Sequence, residues 1–161
     1  LKDLTKVDTL KTLFKSFGEI ELSILPGRKY KCCNVNQIDF ENFVNAGLEF
    51  PLELEMDPIA IGDLKTQEIT SSQTIMVNGT ENAYPIITVT GIGSITINNI
   101  AFEVLESGIT LNCEDQEAYN GNISKNDKII LDEFPFLIPG ENTITLDSNV
   151  TIELQYNERW L

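Results

Sequence analysis

The chain has 161 residues, of which 42% are apolar and 22% charged, a composition typical of folded globular proteins that excludes a disordered chain. Its net charge of −14 argues against electrostatic binding to the phosphates of a nucleic acid, so no specific nucleic-acid partner is expected. It holds no apolar run of about 18 residues and no signal-peptide pattern, so neither a membrane span nor a membrane partner is expected.

A single amphipathic helix is predicted near the N-terminus. Thr5 can cap this helix with Asp8 at its third helical position, and apolar residues then recur at helical spacing before Gly18. The spacing predicts a helix over residues 5–17 whose apolar stripe faces a core.

An antiparallel hairpin is predicted after the helix. Apolar and polar residues alternate over residues 19–24, and Pro26-Gly27 supplies a turn. Residues 29–36 give the returning strand, and residues 40–44 suggest a short helical or looped crossing. The first part of the chain is therefore predicted to be an α+β domain.

The clearest strand pattern covers residues 48–57, where apolar and acidic residues alternate. Its apolar residues are Leu48, Phe50, Leu52, Leu54 and Met56. Its acidic residues are Glu49, Glu53, Glu55 and Asp57. Because successive strand residues point to opposite faces, we predict one face in a core and one solvated acidic face.

A change of sequence character after Asp57-Pro58 predicts a domain boundary near residues 58–65. Helical periodicity ends there, and short β-branched runs alternate with Gly, Asn and Ser turns. The predicted strands are 67–76, 84–90, 93–98, 100–105, 108–113, 127–131, 142–146 and 149–156. We predict two domains: an α+β N-terminal domain over 1–60, with one helix plus antiparallel strands, and an all-β sandwich over 65–161.

The residue types that carry most enzyme chemistry are scarce. The chain has no histidine, which removes Ser-His-Asp and Cys-His nucleophile systems and histidine-ligated metals. The crowded acids Glu114, Asp115 and Glu117 could in principle act as a carboxylate pair, but such crowding is expected in so acidic a chain. They also lack the spacing of a calcium loop. We expect no enzymatic activity, no metal and no cofactor.

Four segments carry a family pattern, in order along the chain. The first is Met56-Asp57-Pro58, where the predicted strand 48–56 ends. The residues that carry the other three segments are Pro85, Gly91, Phe134, Pro135, Pro139, Gly140, Asn142, Arg159 and Trp160. Together they resemble the distal tail protein family of long, non-contractile-tailed phages and of related prophage and phage-tail-like bacteriocin baseplates. The resemblance covers most of residues 46–161.

The resemblance implies a ring, commonly hexameric, whose N-terminal domains surround a tail channel and whose galectin-like sandwiches project outward. It implies a place in the virion tail, assembled in the bacterial cytoplasm. The implied partners are further copies of the chain, the tail tube, the hub and receptor-binding proteins. The family usually has strands before the helix, so we expect the N-terminal domain over 1–60 to be incomplete.

Two functions stay open. The first is a structural adaptor of a phage tail tip or baseplate, and the alternative is a carbohydrate-binding sandwich that attaches to host cell walls. Sugar binding would require exposed aromatic rings in a concave face. If the first holds, the acidic row of Glu49, Glu53, Glu55 and Asp57 faces either solvent or the channel, where its negative charge would repel DNA.

Overall fold

The computed structural model describes residues 18–34 and 53–161. The chain divides into two compact units, Leu1–Ala60 and Ile61–Leu161. The helix predicted over 5–17 lies outside the described residues. Within the described residues, no helix is long and apolar enough to cross a membrane.

The described part of the first unit contains the predicted hairpin, which is confirmed. Strands β1 (Gly18–Glu21) and β2 (Lys29–Asn34) pair antiparallel. Gly27 adopts a left-handed φ of 78° in the turn, as a glycine readily does. Its N–H donates a 2.8 Å hydrogen bond to Oε1 of Glu21, so the end of β1 and the turn are tied together.

The α+β class predicted for residues 1–60 is wrong. The described residues of that unit form strands, and the helical turn found elsewhere in the described chain is the short 3-10 helix Asn126–Lys128. The crossing predicted at 40–44 lies outside the described residues. The α+β prediction depended on the helical periodicity of one short segment, whereas period-2 alternation runs through the described strands on both sides of residues 35–52.

Strand β3 (Leu54–Ile69) is continuous through the segment expected to join two domains. Pro58 lies inside this strand. Next to it, Oδ1 of Asp57 accepts a 2.9 Å hydrogen bond from the Ile59 N–H. In the sheet, β3 follows β2 in the first unit and precedes the C-terminal strand in the second. That the chain consists of two separable domains over 1–60 and 65–161 stays a prediction.

Two antiparallel sheets build the second unit as a β-sandwich. The larger sheet contains, after β3, the strands β5 (Ile86–Thr90), β8 (Ile109–Asn112), β9 (Glu117–Asn120), β10 (Ile123–Ser124) and β13 (Thr151–Trp160). The smaller contains β4 (Gln73–Val77), β6 (Gly93–Ile97), β7 (Ile100–Val104), β11 (Ile129–Leu131) and β12 (Gly140–Leu146). Their neighbour orders are β3-β13-β5-β8-β9-β10 and β11-β7-β6-β12-β4.

Most of the core of this unit consists of alternate residues of its strands. The larger sheet contributes Ile87, Val89, Ile109, Leu111, Ile152 and Leu154. The smaller sheet contributes Ile75, Val77, Ile95, Ile97, Phe102, Val104 and Ile144. Full burial of each such side chain contributes about 1.5–3 kcal/mol, so the alternation of β-branched residues is what drives this fold.

Most predicted strands match observed ones apart from shifts at their ends, but one predicted strand is wrong and two observed strands were not predicted. The predicted strand 67–76 is wrong, because β3 ends at Ile69 and β4 begins at Gln73. In the break between them, the Ser72 hydroxyl accepts a 3.0 Å hydrogen bond from the Leu146 N–H. Strands β9 and β10 were not predicted, because they are short and contain a single β-branched residue, Ile123.

Candidate functional site

Asn142 is fully buried and every hydrogen-bonding group of its side chain has a partner. Its Oδ1 accepts hydrogen bonds from the Ile138 N–H at 2.8 Å and from Nδ2 of Asn98 at 2.9 Å. Its Nδ2 donates to the carbonyls of Ile138 at 2.8 Å and Gly140 at 3.1 Å. A buried amide is stable only when so paired, and the pairing fixes the turn in which Gly140 adopts a left-handed φ of 97°.

The rest of the Phe134 to Ile144 segment is an extended crossing tied to the sandwich. Leu137 and Ala83 exchange two backbone hydrogen bonds of 2.8 and 2.9 Å. Pro135 is buried, Phe134 packs against the core, and Pro139 is exposed in the turn. These motif residues therefore hold the framework in place.

Pro85 and Gly91 likewise act through the backbone. Pro85 is buried, and its carbonyl accepts a 3.1 Å hydrogen bond from the Cys113 N–H. Gly91 has a φ of 103°, and a Cβ there would overlap the carbonyl oxygen of Asn149. Its N–H donates a 2.9 Å hydrogen bond to the Ser107 hydroxyl. The position therefore requires glycine on two grounds, conformation and space.

Arg159 and Trp160 close one end of the C-terminal strand. The Arg159 Nη1 lies 3.1 Å from Oε1 of Glu114, and its guanidinium carbon is 5.3 Å from the centroid of the Tyr84 ring. The Trp160 ring lies against the backbone of Gly62, where a Cβ would approach it to 2.9 Å. Both motif residues thus make contacts within the unit that fasten its last strand.

Glu158 is a buried acid that sequence reasoning missed. It is 6% exposed, and its Oε1 accepts hydrogen bonds from Nζ of Lys65 at 2.6 Å and from the Asn78 N–H at 2.8 Å. Burial raises the pKa of Glu158, but the Lys65 and Asn78 hydrogen bonds outweigh this and hold that pKa below its ordinary value. A usable signal existed, since Glu158 continues the alternation of Ile152, Leu154 and Tyr156 on the core side of β13.

The three carboxylates of the predicted acidic cluster are all exposed and have different surroundings. Glu114 pairs with Arg159, whereas Oδ2 of Asp115 accepts a 2.7 Å hydrogen bond from Nδ2 of Asn112. Glu117 lines a cavity instead. Among the residues that the structure describes, no group of three or more His, Cys, Asp or Glu side chains could hold a metal ion.

The acidic row predicted on strand 48–57 is only partly described. Glu49 lies outside the described residues, and Glu53, Glu55 and Asp57 are exposed. On the other face, Leu54 is half-buried and Met56 is 41% exposed. Which surface the acidic row faces, solvent or a channel, stays a prediction.

A cavity of about 350 Å³ opens beside the β9–β10 hairpin. Its lining residues are Glu117, Ala118, Tyr119, Gly121, Asn122, Ser124 and Asn126. The strand register places Tyr119 between Thr110 of β8 and Ser124 of β10. Sequence reasoning named Glu117 as part of the acidic cluster but did not bring these lining residues together, because the two strands that form the hairpin were not predicted.

Comparison with known proteins finds a likeness in fold. No family model and no curated protein matches the chain. A crystal structure of SPP1 Dit (gp 19.1), titled a paradigm of the hub adsorption apparatus in Gram-positive infecting phages, is similar with a TM-score of 0.66. The sequences are 15% identical, and the match covers 98% of this chain and 72% of that chain. At this identity the likeness establishes the fold alone.

Proposed function

We propose that this chain is a structural component of a phage or prophage tail tip: a ring-forming adaptor that joins tail tube, hub and receptor-binding proteins in the virion tail. The observation that carries the proposal is the likeness in fold to SPP1 Dit, which extends over 98% of this chain. That protein is described as part of a phage hub adsorption apparatus. Because one fold can serve many functions, a second and independent line of support is needed.

The second line is the ordered motif pattern, and its residues have framework roles. Asn142 fixes a turn through four hydrogen bonds, and Gly91 occupies a position that a side chain would block. Arg159 and Trp160 fasten the last strand. Residues that keep a particular fold intact are expected to recur among proteins that share its architecture. The motif resemblance and the likeness in fold therefore support the same assignment.

Sheet edges give the chain surfaces through which an adaptor could assemble. Among the described strands of the first unit, β1 lies at the edge and pairs with β2 alone. In the second unit, β4 is an edge of the smaller sheet and pairs with β12 alone in the described chain. Edge strands present unpaired backbone groups that another chain can extend by strand addition. A ring closes when such a surface meets a different patch on the next copy.

We further propose that the chain is not an enzyme. It has no histidine, and Glu114 and Asp115, the two neighbouring acids of the predicted cluster, have separate polar partners. A glycosidase requires two carboxyl groups that flank the scissile bond, whereas each of these two acids bonds to a different neighbour. The proposed role is therefore to hold other tail proteins together.

Immunogold electron microscopy of tailed particles tests the place of the protein in the virion. Antibodies raised against this chain are added to tailed particles purified from lysates of the source strain. We expect gold label at the distal end of the tail. Particles labelled along the tail tube or on the capsid, or left unlabelled while denatured particles react with the antibody, would contradict the tail-tip assignment.

A further inference from the structure

We propose that the cavity beside the β9–β10 hairpin is a binding site for a neutral saccharide. Its lining combines one aromatic ring, that of Tyr119, with four hydrogen-bonding side chains: Glu117, Asn122, Ser124 and Asn126. The site would let the proposed tail component touch cell-wall glycans itself. The inference does not depend on the tail assignment, because binding is measured on the chain alone.

The groups in the lining suit an array of hydroxyls. Sugar hydroxyls both donate and accept hydrogen bonds, so a sugar site needs acceptors, donors and groups that do both. The Glu117 carboxylate accepts hydrogen bonds, the Ser124 hydroxyl can donate or accept them, and the Asn122 amide offers both a donor and an acceptor. The Asn126 amide offers its Nδ2 as a donor, because its Oδ1 already accepts the Ala118 N–H. The volume of about 350 Å³ lies within the range of roughly 300–1,000 Å³ that is typical of small-molecule sites.

Three of these side chains are available to a ligand. Within the described chain, Glu117, Asn122 and Ser124 have no side-chain hydrogen bond or ion pair to another residue. Their polar groups therefore bond to water when the cavity is empty. A sugar that replaces this water with its own hydroxyls recovers those hydrogen bonds without breaking any in the protein.

The wall of the cavity is held in shape by backbone contacts. Asn126 Oδ1 accepts a 2.7 Å hydrogen bond from the Ala118 N–H, and the Lys125 N–H donates a 2.7 Å bond to the Ala118 carbonyl. These two bonds join the segment after β10 to strand β9. Gly121, with a φ of 59°, provides the tight turn between the two strands. Such preformed walls lower the entropic cost of binding.

Tyr119 supplies the one aromatic ring in the lining of the cavity. It lies in a row of the larger sheet with Thr110 and Thr88, whose hydroxyls are 3.1 Å apart. Their strand neighbours Ile87, Val89, Ile109, Leu111 and Ala118 are buried, so this row is on the outer side of the sheet. A half-buried tyrosine ring there can lie against the C–H face of a sugar ring.

The charges around the cavity select a neutral ligand. The lining contains the Glu117 carboxylate and no cationic side chain. The two lysines beside the lining segment in sequence are already paired, Lys125 with Glu106 at 2.6 Å and Lys128 with Asp127 at 3.1 Å. In a chain of net charge −14, a phosphate or carboxylate would be repelled. Glycans that carry phosphate are therefore excluded, and uncharged hexoses or N-acetylhexosamines fit.

Saturation-transfer difference NMR tests the site, because it detects weak ligands on a monomer or on a ring. The probes are glucose, galactose and N-acetylglucosamine, with glycerol 3-phosphate as an anionic comparison. We expect transfer to at least one neutral sugar and none to glycerol 3-phosphate. Glu117→Ala should weaken binding by about tenfold, the usual effect of losing a hydrogen bond to a charged group.

Two further variants separate binding from folding. Asn122→Ala changes an exposed loop side chain and should weaken binding without altering the unfolding midpoint. Glu103→Ala removes another exposed carboxylate, from the smaller sheet, and should leave binding unchanged. Absence of transfer to all three sugars, equal transfer to glycerol 3-phosphate, or unchanged binding in both Glu117→Ala and Asn122→Ala would overturn the proposal. The ring and tail-tip measurements would be unaffected by that result.

Discussion

The Lys65 ammonium lies 2.6 Å from the Glu158 carboxylate and joins strand β3 to the C-terminal strand β13 at a position where the acid is buried. The same carboxylate oxygen accepts the Asn78 N–H from the turn that follows β4. One acid therefore connects three parts of the second unit. Its contribution can be tested by mutation and by pH.

Glu158→Ala should destabilise the second unit by about 1–3 kcal/mol, because the substitution leaves the Asn78 N–H without its acceptor and Lys65 without its partner. Glu153→Ala, on the exposed side of the same strand, is the control and should change stability by less than about 0.5 kcal/mol. Urea unfolding followed by fluorescence measures both. Equal effects of the two substitutions would show that the buried pair adds nothing to stability.

The pH dependence of stability should report the same carboxylate. Its folded pKa is below the ordinary value of 4.5, so the unfolded chain takes up the proton first as the pH falls. The stabilisation is therefore complete above pH 4.5 and is lost as the pH drops through the folded pKa. Glu158→Gln should make the unfolding midpoint depend less on pH, between about pH 5 and 3, than it does in the parent chain. If the midpoints of the variant and of the parent chain fall in parallel as the pH drops, Glu158 has the same pKa in the folded and the unfolded chain.

Asn142→Ala should cost about 2–4 kcal/mol, because it removes a fully buried amide whose hydrogen bonds hold the backbone groups of Ile138 and Gly140 in the turn. Asn142→Asp should cost more, since an ionised carboxylate cannot donate to two carbonyls and is costly to bury. Asn99→Ala, an exposed amide in the β6–β7 turn, is the matched control and should be near neutral. Thermal unfolding measures the stability of each variant. If Asn142→Ala changes the stability as little as the control does, Asn142 does not fix the turn.

The acidic row carries a prediction about DNA. If Glu49, Glu53 and Glu55 line a channel, replacing all three by Lys should make assembled rings retain DNA at low salt and release it as salt rises. A control with the same charge change replaces Glu103, Glu141 and Glu153, all exposed in the second unit. Retention by the first variant alone, in filter binding at several salt concentrations, supports the channel assignment. Equal retention by both, or by neither, rejects it.

Sequence reasoning succeeded where a strand buries every second residue. The alternation in Ile87-Thr88-Val89 and in Ile95-Thr96-Ile97 predicted strands that the structure contains, because burial of β-branched residues on one face both causes and reveals such strands. It failed where tertiary contacts decide. Glu117–Asn120 forms a strand by pairing with β8, although its sequence has little strand propensity.

The predicted sites, like the predicted strands, were only partly foreseen. The motif residues were recognisable, but their framework roles were not, since Asn142 bonds not only to Ile138 in its own turn but also to Asn98, 44 residues away in sequence. The α+β class failed because it was inferred from one helical period at 5–17 and a doubtful crossing at 40–44. The cavity could not be foreseen, because it depends on two strands that periodicity does not indicate.

The most direct test of the proposed ring-forming role is the mass of the assembled species across a concentration series, by native mass spectrometry and sedimentation velocity. The account predicts one closed species with a fixed number of copies, whose mass stops rising once the ring is complete. A chain that stays monomeric at every concentration, or that grows without limit into fibres, would contradict the ring.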